Sequence, residues 1–429
     1  MKYLSTRGGG TPVGLGAAIA AGLADDGGLY VPERVPVVDF AAIDPEAPLG
    51  AYAAAMLAPY FDGDALASSL PAIAQGALDF PTPLVALADP RDSVLELFHG
   101  PTAAFKDCGA RFLARFLAAL DGAPLRTVLV ATSGDTGGAV AAAFHRLPGF
   151  RVVILYPDGR VSARQAHQLG AFGDNVRALR VAGSFDDCQR LVKQAFGDRA
   201  LRARVPLVSA NSISLGRLLP QATYFARAAA GYLRRRGERL SFAIPSGNLG
   251  HATACLLARA MGAPIARVAL ATNANRVVED WLVQGELVPR PSLATLANAM
   301  DVGDPSNAER IRWLHPGADE RRGVLEADAI DDDAIARRIA ASAAAGYVPC
   351  PHTACGLELV TRRRARGDTR PWCVAATAHP AKFETVVEPL IGRALEPPAA
   401  LAAMLERPAS AEPLAAEYAV LRERLFVEE

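Results

Sequence analysis

The chain has 429 residues, of which 51% are hydrophobic and 21% charged, with 45 basic and 45 acidic side chains. That length buries the core of two or three domains, and a net charge of zero leaves no basic surplus for nucleic acid. Every apolar run is broken before the roughly 20 residues of a membrane span and MKYLSTRGGGTP lacks the apolar core of a signal peptide, so the expectation is a cytoplasmic protein without membrane or nucleic-acid partners.

The first 80 or so residues read as short helices around the turn-rich stretch GLADDGGLYVPERVP, a separate N-terminal unit. From about Pro81 the rhythm changes. Short Val/Ile/Leu runs alternate with helical patterns: TVLVAT (127–132), RVVILYP (151–157), VRALRVAG (176–183), PLVSAN (206–211), LSFAIPSG (240–247), RVALATN (267–273) and WCVAAT (372–377). Each is too apolar on both faces for an exposed antiparallel strand. Buried parallel strands with crossover helices explain them, giving an α/β fold with helices on both sheet faces. The Arg-rich run Arg362, Arg363, Arg364 and Arg366 reads as a solvated helix end. Six scattered cysteines argue for reduced thiols. Cys350 and Cys355 flank His352, but the spacing fits no zinc pattern, so no metal is expected.

In such sheets ligands gather at the carboxyl ends of strands. TVLVAT is followed by Ser133-Gly134-Asp135-Thr136-Gly137-Gly138, and LSFAI by Pro245-Ser246-Gly247-Asn248-Leu249-Gly250-His251. PLVSA is followed by Asn211-Ser212-Ile213-Ser214. Each loop joins small or polar residues to a helix N-terminus, where free N–H groups and the positive dipole end suit an anion. One such loop is an ordinary capped turn. Three in one sheet imply ligands with several anionic groups, and none matches a dinucleotide or ATP fingerprint.

Only four lysines stand against 41 arginines. Where an amine must lose its proton and attack a carbonyl, arginine cannot serve. Lys2 lies near a terminus expected to fray, and Lys193 lies on an amphipathic surface helix. Lys382, in HPAKF after WCVAAT, reaches the same rim as the loops. Lys106 begins a helix in ELFHGPTAAFKDCGARFLARFL, beside Phe98 and Phe105, where both the dipole and the apolar setting lower an ammonium pKa. The residues alone leave Lys106 and Lys382 both open as the nucleophile. A reactive lysine with phosphate and carboxylate cradles is what a pyridoxal-phosphate enzyme requires.

The segments ELFHGPTAAFKD, ATSGDTGGAVAAAF, SANSIS…GRLLPQ, PSGNLG, ATN, NAMDVGDPSN and TAHPAKF, with the opening STRGG…GLADDGGLYVPE, resemble the threonine synthase family over essentially the whole chain. The resemblance implies the fold type II architecture of pyridoxal 5'-phosphate enzymes: two sheet domains with helices on both faces and a small, mainly helical N-terminal domain. It implies a division into residues 1–80, a large cofactor-binding unit of 81–130 and 215–429, and a smaller α/β unit of 131–214. By position, Lys106 matches the Schiff-base lysine. Ser246, Gly247, Asn248, Leu249 and Gly250 match the cofactor-phosphate loop, Thr377 the residue facing the pyridine nitrogen, and Asp135 a neighbour of the ring hydroxyl. Thr132, Ser133 and Thr136 match the substrate-carboxylate loop, and Asn211, Ser212 and Arg217 the substrate-phosphate group.

The implied reaction is β,γ-replacement on O-phosphohomoserine, with phosphate leaving Cγ and water adding at Cβ to give threonine. Relatives of this length imply a monomer, with a dimer left open. Many relatives carry Phe and Asp where this chain has Leu249 and His251. Leu249 is expected to be tolerated, because backbone N–H groups bind the phosphate. His251 either adds a favourable charge beside a phosphate when protonated or, the favoured reading, is a surface residue at a helix start. Two other readings stand beside this one. A phospho-lyase on the same scaffold would release a 2-oxo acid, and a non-catalytic protein would keep the fold for binding.

Overall fold

The computed structural model describes residues 1–120 and 125–426. Its strands are β1 (Tyr3–Ser5), β2 (Tyr30–Pro32), β3 (Leu84–Ala86), β4 (Asp92–Glu96), β5 (Arg126–Ala131), β6 (Phe150–Pro157), β7 (Val176–Ala182), β8 (Leu207–Ser209), β9 (Leu240–Pro245), β10 (Ile265–Thr272), β11 (Leu325–Ala329), β12 (Trp372–Ala376) and β13 (Glu412–Ala415). The seven apolar runs of the sequence are β5 to β10 and β12. Every one pairs in parallel with its neighbours, and β9 and β12 are buried along their whole length. Continuous burial on both faces is why these runs are apolar without alternation.

Two large sheets result. One has six strands in the order β11-β10-β9-β12-β4-β3, and the other five in the order β13-β7-β6-β5-β8. Only β3 is antiparallel within them. Two segments sit with a different sheet from the one the expected boundaries allot. Most of β5 falls within 81–130 yet lies inside the five-stranded sheet. The C-terminal β13 caps the free edge of β7, because Leu414, Leu421 and Leu425 pack with Leu179 and Leu191 in that sheet's core.

The N-terminal residues pair β1 with β2 and add the helices Leu15–Ala21, Leu49–Leu57 and Leu70–Ala77. Their core is continuous with that beneath the helices Lys106–Ala118 and Leu215–Arg236. Lys2 is not frayed. Its backbone exchanges bonds with Glu33, donating to Oε1 at 3.1 Å and accepting from N at 2.9 Å. Nor is the arginine run merely solvated: Arg362 pairs with Glu358, Arg363 with Glu326 and Asp328, and Arg364 with Asp92. Of the four, Arg366 is the exposed one.

Candidate active site

Strand β12 lies between β9 and β4, and the chain that leaves β4 follows it upward. Leu97 N donates to Ala376 O at 3.0 Å, Phe105 N to Thr377 O at 2.8 Å, and His379 N to Ala103 O at 3.0 Å. Within this turn Ala103 adopts a positive φ of 54°. Asp107 is fully buried and accepts from Thr102 N at 2.9 Å and Thr102 Oγ1 at 2.6 Å. The turn is therefore rigid, and it delivers Lys106 beside the end of β12.

The Lys106 amine makes no hydrogen bond or ion pair among the described residues, and lies 5.6 Å from the Phe105 ring centre. Burial pulls its pKa down from 10.5 to about 8, against Asp135 and with help from Arg217 and Lys382. Gly109, one turn further on, admits the next helix. A Cβ there would lie 2.7 Å from Arg217 O and 2.9 Å from Arg217 Nε, so close helix packing sets the distance from Lys106 to Arg217.

Lys382 takes the opposite course. It is 1% exposed, and its Nζ lies 2.8 Å from Asp135 Oδ1 and donates to Thr102 O at 2.8 Å. Asp135 opens the helix Asp135–Phe144 after β5, and Gln165 Nε2 donates to the same Oδ1 at 2.9 Å. Burial alone would raise the Asp135 carboxyl, but the Lys382 and Lys106 charges with these hydrogen bonds hold it well below the usual carboxylate range. Between the two lysines that sequence left open, Lys382 is committed to a carboxylate and Lys106 is free.

The three loops face the same cavity, about 1460 Å³ in volume, which is lined by every one of the fourteen site residues expected from sequence. At the end of β9 the N–H groups of residues 247–250 donate to nothing within the described residues. Gly247 is required there, since a Cβ would come within 2.8 Å of Met300 Cα. Leu249 takes φ 61° as the residue preceding the helix Gly250–Ala260, so its backbone, not its side chain, shapes the cradle. Asn248 Nδ2 donates to Ser212 Oγ at 2.7 Å, which joins this loop to the one after β8. After β5, Thr132 Oγ1 accepts from Gly134 N and Gly137 N at 3.0 and 2.9 Å. Its hydroxyl oxygen thus organises the loop, and the N–H groups of Ser133, Asp135 and Thr136 stay unused.

Arg217 is 2% exposed; it donates to Ala210 O, while its Nε has no partner among the described residues. Burial lowers its pKa to about 10 against the pull of Asp107, so it remains charged at neutral pH. Asn211 Oδ1 is likewise buried without a partner. An orphaned guanidinium N–H and a row of free backbone N–H groups suit anionic groups, while a free amine suits an aldehyde. The residues present therefore fit pyridoxal phosphate.

His251 is a correction. It lies 5% exposed, stacked on Phe105 with ring centres 4.2 Å apart, and edge-on to Tyr224. The residue starts a helix, but that helix packs on the helix Leu215–Arg236, which carries Arg217, and the ring is enclosed by Phe105, Tyr224 and Phe225. Burial and Lys106 lower its pKa to about 3, so it is neutral, and neither ring nitrogen has a partner. No group of His, Cys, Asp and Glu among the described residues could hold a metal. Cys350 instead caps the helix Pro351–Ala365, accepting from Thr353 N at 3.4 Å, and His352 Nε2 accepts from Ala299 N at 3.1 Å.

Sequence reasoning missed Arg310. It is 2% exposed and donates to Tyr30 O, to Ile213 O at 2.6 Å and to Asn307 Oδ1 at 2.8 Å. Asn307 Nδ2 in turn donates to Asn248 O at 3.1 Å and Ser212 O at 3.3 Å. Asn307 was within a quoted motif, NAMDVGDPSN, but three residues on nothing local marks an arginine as buried.

Two predominantly parallel sheets, a free lysine at the end of one and a loop of unused backbone N–H groups beside it fit a pyridoxal-phosphate-dependent enzyme of fold type II. The family model described as "Pyridoxal-phosphate dependent enzyme" matches residues 78–378, that of "Threonine synthase N terminus" residues 2–78, and that of "Threonine synthase, C-terminal" residues 353–424. The threonine synthase of Serratia marcescens is 38% identical over 428 residues, 99% of each chain. The crystal structure of threonine synthase from Escherichia coli superposes with a TM-score of 0.92 at 36% identity, covering 99% of both chains. The pyridoxal-phosphate-bound threonine synthase of Brucella melitensis gives 0.90 at 34% identity, covering 99% of this chain and 98% of that one. The chain belongs to the threonine synthase family.

Proposed function

We propose that the protein converts O-phosphohomoserine and water to L-threonine and phosphate, with Lys106 as its catalytic lysine. The observation that carries this reading is the unpaired Lys106 amine opening onto one cavity with three anion-suited loops. One cradle serves the cofactor phosphate and two remain for a substrate that is anionic at both ends. Bound pyridoxal phosphate supplies an electron sink that makes the substrate's Cα and Cβ protons removable.

The chain's own groups do the rest. The N–H groups of Gly247, Asn248, Leu249 and Gly250, with Ser246, bind the cofactor phosphate at a helix N-terminus. Thr377 presents a neutral hydroxyl to the pyridine nitrogen, and Asp135 stays ionised near the ring hydroxyl. The loop of Thr132, Ser133 and Thr136 binds the substrate carboxylate. Asn211, Ser212 and Arg217 bind its phosphate, where a guanidinium fork matches the oxygens. Lys106, with a pKa of about 8, is an amine in roughly one molecule in ten at pH 7, and carries protons at Cα and Cβ. Phosphate leaves Cγ, and the water oxygen adds to Cβ keeping one proton as the new hydroxyl. The three protons from Cα, Cβ and water end on Cγ as the new methyl hydrogen, back on Cα, and on the departing phosphate.

No helix of the described residues is long and apolar enough to cross a membrane. All six cysteines are buried and unpaired, which supports a reducing, cytoplasmic setting. We also retain the monomer as the working unit, with the smaller unit of residues 131–214 free to close on the substrate. Incubation with O-phosphohomoserine and separation of products tests the reading: threonine with equimolar phosphate is expected. Release of 2-oxobutyrate instead would make the protein a phospho-lyase. The loaded protein should absorb at about 410–420 nm, and Lys106→Ala should abolish that band.

A further inference from the structure

Lys382 is one of four lysines, lies fully inside the protein, and has no part in the reaction above. Its Nζ ties the loop after β12 to Asp135, at the start of the helix that follows β5 (2.8 Å), and to Thr102 in the turn that holds Lys106 (2.8 Å). The same loop takes two more bonds from across the divide: Ser162 Oγ donates to Lys382 O, and Arg164 Nη1 to Ala381 O, both at 2.7 Å. On Asp135, Lys382 and Gln165 both occupy Oδ1. Oδ2 makes no bond among the described residues, and Asp135 lines the cavity.

We propose that Lys382 is a positioning residue: it pins the Asp135 carboxylate by one oxygen, presents the other to the cofactor cavity, and keeps Asp135 from capturing the Lys106 amine. The reasoning is electrostatic. Two ammonium groups face one buried carboxylate. Lys382 takes the contact, and Lys106 is left without a counter-ion in an apolar setting that favours its neutral form. Lys382 wins because its second contact, Thr102 O, is fixed by the turn. The other charged and titratable groups around Lys106 do not compete. Arg217 is a cation on the helix Leu215–Arg236, and His251 and His352 are held neutral by burial, with pKa values lowered to about 3 and about 4.

This rests on Lys106 being the cofactor lysine, and the two ideas separate experimentally. Borohydride reduction of the loaded enzyme followed by peptide mapping should place the adduct on Lys106. An adduct on Lys382 would overturn both. The inference itself is read on the cofactor-free protein, from the pH dependence of Lys106 labelling by trinitrobenzenesulfonate. In the native protein the midpoint should lie near pH 8. Lys382→Met should move it up by at least about one unit, cutting labelling at pH 7 about tenfold, while Lys382→Arg should keep it. A purely structural lysine would lower the melting temperature in both variants and leave the midpoint in place, which would overturn the proposal. Should Lys382→Met not fold, the pair Asp135→Asn and Asp135→Asn/Lys382→Met substitutes. The first should lower the midpoint and the second should raise it again, and equal midpoints would overturn the proposal.

Discussion

Arg310 Nη1 donates to Asn307 Oδ1 at 2.8 Å, and through that one bond a buried guanidinium sets the spacing of two anion loops. Asn307 holds Asn248 and Ser212 by their carbonyls, while Arg310 holds Ile213 and Tyr30 directly. The N-terminal strand β2 thus braces the cavity floor. Among the described residues no carboxylate hydrogen-bonds to the Arg310 side chain, and burial lowers its pKa to about 9 against the pull of Glu309.

Arg310→Gln should therefore act in two ways. Leaving buried carbonyls of Tyr30 and Ile213 unpaired costs about 1–3 kcal/mol, visible as a lower melting temperature. Loosening the loops should also raise KM for a phosphorylated substrate more than it lowers kcat. A stability loss with an unchanged KM would show that the brace does not reach the loops.

Gly109→Ala should be costly although it adds one methyl group. The new Cβ would meet the backbone oxygen of Arg217 at 2.7 Å, and forced separation of packed helices costs about 1–3 kcal/mol. Arg217 would shift with its helix. Calorimetry and inhibition by inorganic phosphate should both report the change, with phosphate binding weakened several-fold.

His251→Phe should be neutral or stabilising. The ring keeps its stack on Phe105, and two buried nitrogens that have no partner are removed, which relieves a desolvation penalty. Thermal denaturation should show an equal or higher midpoint, with cofactor binding retained. A clear drop would mean that the imidazole has a partner in solution.

Asp301 predicts a pH dependence of stability. Burial raises its pKa from 3.8 to about 6, against hydrogen bonds from Thr295 and Asn273. Between about pH 4 and pH 6 the native protein holds a proton that the unfolded chain has released, so folding stability contributed here falls as pH rises through that window. Denaturant titrations should show this slope, and Asp301→Asn should flatten it.

Much of this was legible in the sequence, for particular reasons. Runs such as TVLVAT and WCVAAT are apolar on both faces because central parallel strands have no solvent face. Lys106 stood out because arginine has replaced lysine almost everywhere else. His251 was misread because a helix start is ordinarily a surface feature, and nothing in PSGNLGH reveals that Phe105, Tyr224 and Phe225 close over the ring. Arg310 and Lys382 were opaque for a related reason: their partners lie 280 residues away in sequence, at Tyr30 and Thr102. Strand β13 was missed because EPLA has a single inward side chain, Leu414, and its pairing is decided by an open sheet edge.

The position of β12 also bears on how the protein is made. Residues 372–376 fill the gap between β9 and β4, and Thr377 O receives the N–H of Phe105. A nascent chain whose growing end has passed β11 but not β12 has already synthesised Lys106, the anion loops and both flanking strands, yet lacks the piece that docks them. The six-stranded sheet must stay split until residue 376 has been made. Chaperone demand should thus peak between synthesis of β11 and of β12, when two exposed strand edges wait for a single insert.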